Sequence, residues 1–354
     1  MSAISAIAGF WMEGALRTLD AFTTGFGSAS NDPPTATPYR VIYQGGLVRL
    51  RHYAAVGTAH HTPILLIYSL IKRPFILDLM QGRSVIENLT RQGFDVYLID
   101  WIPPSAADQY RGFHEYVDED MANSVRAVQI HSGVEKVSII GYCFGGLLAL
   151  LYAALHPDSV KNLVTLTLPL DMSVRDLPID IMSRMLSESG ARMLVDTYGN
   201  VPPWMMFSFF NSLAPTHHMI DKFVGAHRST ARRGYLEMFR LFEQWLHSDV
   251  AFAGKIFLET NNDLGLHNAL MKGAMKVGGV TVNLKNLIAP LMNVIGDLDD
   301  IVNPKSSEPL PDLVGSADKQ NYHYPTGHMG AAVSSDALKN LWPAIGGWLK
   351  ERDA

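Results

Sequence analysis

The sequence predicts an α/β fold: a mostly parallel central sheet, helices on both faces, and a helical cap inserted late in the chain. Three observations point there. Short, almost wholly apolar runs alternate with helical patterns, which is how strands buried on both faces of a parallel sheet read. The alternation stops after Pro169 and resumes only at Ile288. And one strand-to-helix turn, in SIIGYCFGGLLAL from Ser138, is enclosed by glycines and carries the only cysteine of the chain.

Composition narrows the classes. The 354 residues are 47% hydrophobic and 18% charged, ordinary for a folded protein of one or two domains. A net charge of -5 with both signs interspersed offers no basic stripe, so nucleic acid is not an expected partner. A lone cysteine makes no internal disulfide and suits a reducing cytosol. The first residues, MSAISAIAGFWMEGALRTLDAF, lack a basic leader region and place Glu13, Arg17 and Asp20 among their apolar positions. No apolar run reaches the length of about 18 residues that suggests a membrane span. Neither a signal peptide nor a transmembrane helix is expected, and the expected location is cytoplasmic.

Along the chain, residues 1–38 read as an amphipathic helix over 3–23, with Ile4, Ile7, Phe10, Trp11, Leu16 and Leu19 at helical spacing, and a Gly-, Pro- and Ser-rich linker over 25–38. VIYQ and LVRLRHY predict a hairpin over Val41 to Tyr53, and PILLIYSL a buried strand. IENLTRQG ends a helix, DVYLID is a strand, and Val117 to His131 is a helix. KVSIIG and LVTLTLPL are strands. Residues 39–169 and 288–354 thus form the core. The 170–287 segment, rich in Met and aromatic residues as in VPPWMMFSFFNSL and EMFRLFEQWL, is the expected cap or lid. The core resumes with LMNVIG and NYHYP as strands and a closing helix over Leu338 to Leu349.

Cys143 lies between the strand ending at Gly141 and the helix beginning near Gly145. That is the setting of a nucleophile elbow in an α/β-hydrolase fold: small flanking residues permit a strained backbone, and the nucleophile projects above the sheet. A helix N-terminus under the sulfur also favours the thiolate. Cysteine is often merely a small buried hydrophobe, so the turn alone is a weak signal. Its partners strengthen it. In elbow enzymes an acid and then a histidine follow the nucleophile on loops after later strands. After LMNVIG come Asp297, Asp299 and Asp300, and after NYHYP comes Thr326-Gly327-His328-Met329-Gly330. Asp299 fits the Gly-x-x-Asp spacing from Gly296, with Asp300 the main rival, and His328 is bracketed by glycines. The expected oxyanion donors are the backbone N–H groups of Phe144 and of Ile71, with Leu70 the alternative to Ile71. Lys72 and Arg73 are either surface charges or contacts for an anionic ligand. No metal spacing or cofactor loop is found among the 13 histidines and the single cysteine.

With these residues in place, the chain resembles the polyhydroxyalkanoate synthases, specifically the short catalytic subunit of the two-component class III enzymes. IYSLIKRPFILDL, DVYLIDW, GYCFGG, FFNSLAP, FEQWL, VNLKNLIAPLMNVIGDLDDIVNP and GHMG occur in family order. Two departures stand out: Asp300 occupies a position that is usually histidine, and Tyr142 and Phe144 flank the cysteine where smaller or polar residues are common. The resemblance implies a cysteine that carries the growing polyester (Cys143), a histidine that activates it (His328) and an assisting aspartate (Asp299). It implies an (R)-3-hydroxyacyl-CoA substrate, such as 3-hydroxybutyryl-CoA, a polyester product, and no cofactor. It further implies homo- or hetero-oligomers, a second synthase subunit of PhaE type, and work at the surface of a polyester granule. A cysteine suits such a reaction, because moving an acyl group between thiols leaves it activated for the next hydroxyl. The competing expectations are a cysteine-dependent thioesterase or depolymerase of the same fold, and a non-catalytic scaffold.

Overall fold

The computed structural model describes residues 35–177, 186–213 and 235–353. The expected N-terminal helix and most of its linker, and the stretches 178–185 and 214–234 of the expected cap, lie outside the described residues. Residues 34–354 form one compact unit. Its entry is pinned early: Asp78 accepts the N–H of Thr37 at 2.9 Å and its hydroxyl at 2.8 Å.

Eight strands make the central sheet: β1 (Arg40–Gly45), β2 (Val48–Tyr53), β3 (Ile64–Ile67), β4 (Val96–Trp101), β5 (Val137–Tyr142), β6 (Val160–Leu166), β7 (Leu291–Gly296) and β8 (Lys319–Tyr324). Their spatial order is β1-β2-β4-β3-β5-β6-β7-β8. β2 runs antiparallel to β1 and β4, and every pairing from β4 to β8 is parallel. The hairpin and the buried strands therefore stand where the alternation placed them, with β6 beginning three residues before LVTLTLPL.

Every residue of β3, β4, β5 and β7 is buried, because helices cover both faces. Side chains alternate between two apolar layers. Leu65, Ile67 and Ile139 enter one, together with helices α2 (Ala122–Ser132) and α3 (Phe144–Leu155). Ile64, Leu66 and Ile140 enter the other, beside α1 (Val85–Arg91) and α8 (Trp342–Lys350). Helix α3 is buried from Gly145 to Ala154, so FGGLLALLYAAL reads as apolar all round rather than as an amphipathic stripe.

Between β6 and β7 run α4 (Glu188–Tyr198), α5 (Pro203–Leu213), α6 (Tyr235–Leu246) and α7 (Gly254–Glu259). Val201, Phe252, Ala253, Ile256 and Leu287 from this segment join the apolar layer that holds α2 and α3. On α5, Met205 and Met206 are half-buried against that layer, whereas Trp204 is exposed.

Candidate active site

Cys143 stands between β5 and α3 with φ 55° and ψ −123°, a left-handed conformation that a residue bearing a Cβ rarely adopts. Such a residue costs on the order of 1–3 kcal/mol and persists only where its surroundings enforce it. Here they do. The Cys143 N–H donates to Leu166 on β6 at 2.8 Å, while its carbonyl accepts from Gly146 at 2.8 Å. A Cβ at Gly145 would lie 2.2 Å from the Ile67 carbonyl oxygen, and one at Gly141 would lie 2.5 Å from the Gly146 Cα. The glycines of GYCFGG thus let the helix start against the end of β3, which sets the half-buried thiol at the carboxyl end of an interior strand.

The loops after β7 and β8 supply its neighbours. His328 is buried and close enough to Cys143 for the sulfur to influence its charge, and its Nδ1 lies 2.8 Å from Oδ2 of buried Asp299. The other Asp299 oxygen accepts the N–H groups of Ile301 and Val302 at 2.9 and 2.8 Å, so the carboxylate has a single orientation. Asp300 is exposed, and Asp297, also exposed, pairs with His323 at 2.7 Å. Of the three candidate carboxylates, Asp299 is the one placed against His328. Burial pushes the His328 imidazole toward its neutral form. The Asp299 carboxylate and then the Cys143 sulfur outweigh that and hold its pKa well above the usual range.

Phe144 is the first residue of α3, so its N–H has no acceptor inside the helix. The Ile71 N–H reaches Ser69 Oγ at 3.5 Å, the outer limit of a hydrogen bond. Gly145 abuts both Ile67 and Tyr68, so the loop carrying Ile71 leaves β3 directly beside the elbow. Lys72 and Arg73 are not surface charges. Lys72 pairs with Asp249 at 2.6 Å, and Arg73 turns inward to Asp100 at 3.1 Å and to the Trp101 carbonyl at 2.8 Å.

Tyr142 does more than its sequence position suggested. Its hydroxyl, buried, donates to the His328 carbonyl, and its ring meets the His328 ring edge-on at 5.8 Å. Nothing local in GYCFGG reveals a partner 186 residues away. A charged cleft of about 590 Å³ lined by Tyr110, Arg192, Asp196, Lys255 and Glu259 lies elsewhere, with none of the residues flanking the thiol in its wall. Among the described residues no group of three or more His, Cys, Asp or Glu side chains is placed to hold a metal ion.

Comparison with known proteins agrees with the fold. Residues 62–331 match the family model of the alpha/beta hydrolase fold. The poly(3-hydroxyalkanoate) polymerase subunit PhaC of Haloferax mediterranei is 35% identical over 89% of this chain and 64% of its own length. The subunit of the same name from Allochromatium vinosum is 34% identical over 89% of each chain. The chain thus spans just under two thirds of the haloarchaeal relative and most of the bacterial one. Among solved structures, a soluble variant of monoglyceride lipase from Saccharomyces cerevisiae superposes with a TM-score of 0.59 at 13% identity, over 92% of this chain and 98% of that one, which is a likeness of fold. A strained cysteine on the elbow of an α/β-hydrolase sheet, within a chain this similar to the PhaC subunits over nearly its whole length, places the protein in the poly(3-hydroxyalkanoate) polymerase family.

Proposed function

We propose that the chain is an acyltransferase that polymerises 3-hydroxyacyl groups delivered as coenzyme A thioesters, 3-hydroxybutyryl-CoA among them, through a covalent thioester on Cys143. The observation that carries this reading is the contact chain from Cys143 to His328 to Asp299 at the strained elbow of a family member. The Cys143 thiolate attacks the substrate carbonyl and a tetrahedral oxyanion forms. The carbon–sulfur bond to coenzyme A then breaks, and the departing thiolate takes the proton held on His328. His328, now neutral, accepts the proton of an incoming 3-hydroxyl, whose oxygen attacks the Cys143 thioester and releases the sulfur. Asp299 keeps the imidazole oriented and balances its charge. The N–H groups of Phe144 and Ile71 donate to the oxyanion. A thiol, a base and two donors complete this chemistry, so the reading invokes no cofactor.

Water must be kept from the acyl-enzyme if transfer is to exceed hydrolysis. The segment 170–287 has the composition of a cap for that purpose, and Met205, Met206 and Phe252 pack against the layer that includes Phe144. An insoluble product also calls for work at a granule surface, and a PhaE-type second subunit for full activity. Tyr198 and Trp204, both exposed and edge-to-face at 6.3 Å, support a sticky surface on this side.

Incubation with 3-hydroxybutyryl-CoA, with and without a PhaE-type subunit, tests the proposal. Intact-protein mass spectrometry should show an acyl adduct lost in Cys143→Ala, with polyester or bound oligomer as product. Stoichiometric free 3-hydroxybutyrate without polymer would make the protein a thioesterase. Turnover by Cys143→Ala would remove the cysteine mechanism.

A further inference from the structure

The loop that leaves β3 and carries Ile71 is held from two sides. On the sheet side, Arg73 reaches Asp100 and the Trp101 carbonyl of β4, and the Trp101 indole N–H donates to the Tyr68 carbonyl at 3.1 Å. On the other side are the end of α6 and the residues that follow it. Lys72 Nζ donates to Asp249 Oδ2 at 2.6 Å and to the Leu246 carbonyl at 2.5 Å. The Val250 N–H donates to the Ile71 carbonyl at 3.2 Å, and Lys72 and Asp249 form an isolated antiparallel bridge. The Trp245 indole donates to the Arg73 carbonyl at 3.0 Å, and its ring lies 5.4 Å from Lys72 Nζ. Residues 71, 72 and 73 are therefore each fastened to 245–250, a stretch separated from them by more than a third of the chain.

A buried ion pair is a poor source of stability, since burying both charges costs about what their attraction returns. Its geometric demand is strict, however, because either charge left alone in that setting is costly. The Lys72 and Asp249 side chains are only 12% and 4% exposed, so the pair is committed to this arrangement. Burial works to lower the Lys72 pKa and to raise that of Asp249, in each case against the attraction of the partner. An ordinary loop anchor would need only apolar packing. The ion pair and the Val250 bond to the Ile71 carbonyl hold the residue that carries this N–H from its C-terminal side.

We infer that Asp249 is a positioning residue which, through Lys72, holds the Ile71 N–H where the oxyanion forms, so that the segment between β6 and β7 completes the oxyanion site. This rests on the acyl-transfer reading above. It names a role for a residue that touches neither substrate nor thiol.

Alkylation of Cys143 by iodoacetamide separates positioning from structure. It is a displacement at a saturated carbon that needs the thiolate but forms no tetrahedral oxyanion. Acylation by 3-hydroxybutyryl-CoA needs both. Asp249→Asn and the paired replacement Lys72→Met with Asp249→Leu, which leaves no buried charge unmatched, are compared with wild type. Both variants should lose between about ten- and a hundred-fold in the acylation rate, with KM within about two-fold, because a donor displaced by the order of an ångström loses that much. Iodoacetamide should react with Cys143 at the wild-type rate, and the paired variant should keep the wild-type melting temperature. Equal losses in alkylation and acylation would make the pair a structural brace only, and unchanged acylation would remove the role altogether. A rise in KM without loss of the acylation rate would instead make Lys72 a substrate contact. Failure of wild type itself to acylate Cys143 would overturn the acyl-transfer reading rather than this one.

Discussion

Asp299 gives one carboxylate oxygen to Nδ1 of His328 at 2.8 Å and the other to two backbone N–H groups of its own loop. The carboxylate thus fixes the ring, and the loop fixes the carboxylate. Asp300, the next residue, is exposed.

Asp299→Asn should therefore slow coenzyme A release by about 10²–10⁴-fold, since an amide can hold the ring but cannot balance an imidazolium. Asp297→Asn and Asp300→Asn should stay within about two-fold. The measurement is steady-state coenzyme A release from 3-hydroxybutyryl-CoA, and a larger loss in Asp300→Asn would transfer the role to that residue.

The raised pKa of His328 also predicts how stability varies with pH. A histidine whose folded-state pKa lies above its unfolded value of 6.5 stabilises the fold when protonated. That contribution is whole below pH 6.5 and is lost as pH rises through the higher folded value. His328→Gln should therefore be most destabilising, relative to wild type, at pH 6, with a gap that shrinks at pH 9. Urea midpoints at the two pH values give the comparison, and a gap that widened with pH would mean a histidine buried neutral.

Gly145→Ala should damage the elbow from beneath. The added methyl would sit 2.2 Å from the Ile67 carbonyl oxygen and 2.8 Å from that of Tyr68, both of them backbone atoms with little room to move. A cost of about 1–3 kcal/mol is expected from the forced backbone shift, with acyl transfer falling further than the loss of folded protein explains. Gly347→Ala, where a Cβ meets nothing within 4 Å, serves as the control and should leave the melting temperature near that of wild type.

Tyr142→Phe keeps the ring beside His328 but removes the donor to its carbonyl. Leaving a buried acceptor without that donor should cost about 1–3 kcal/mol. The denaturation midpoint should fall accordingly and the acylation rate with it, since the carbonyl anchors the residue whose ring serves the thiol. An unchanged midpoint would show that another donor takes its place.

The chain's own pattern determined the strands, the nucleophile turn and the order of its partners. A parallel strand buried on both faces is apolar almost throughout, so β3, β5 and β7 announce themselves as ILLI, VSIIGY and LMNVIG, with Ser138 and Asn293 the polar exceptions. The glycines around Cys143 are legible for a similar reason: close backbone approach tolerates no Cβ, and the demand falls on residues adjacent in sequence. Tertiary structure alone decided which aspartate meets His328. Spacing ranked Asp299 above Asp300, but the choice depends on which of them turns inward to a loop 29 residues away. The same holds for Tyr142 at the His328 carbonyl and for Asp249 at Lys72, a contact spanning 177 residues. A surface lysine and a buried, paired one have the same letter and similar neighbours. What separates them is whether the folded chain brings a carboxylate to the ammonium and excludes water from both, and that is a property of packing rather than of any local pattern.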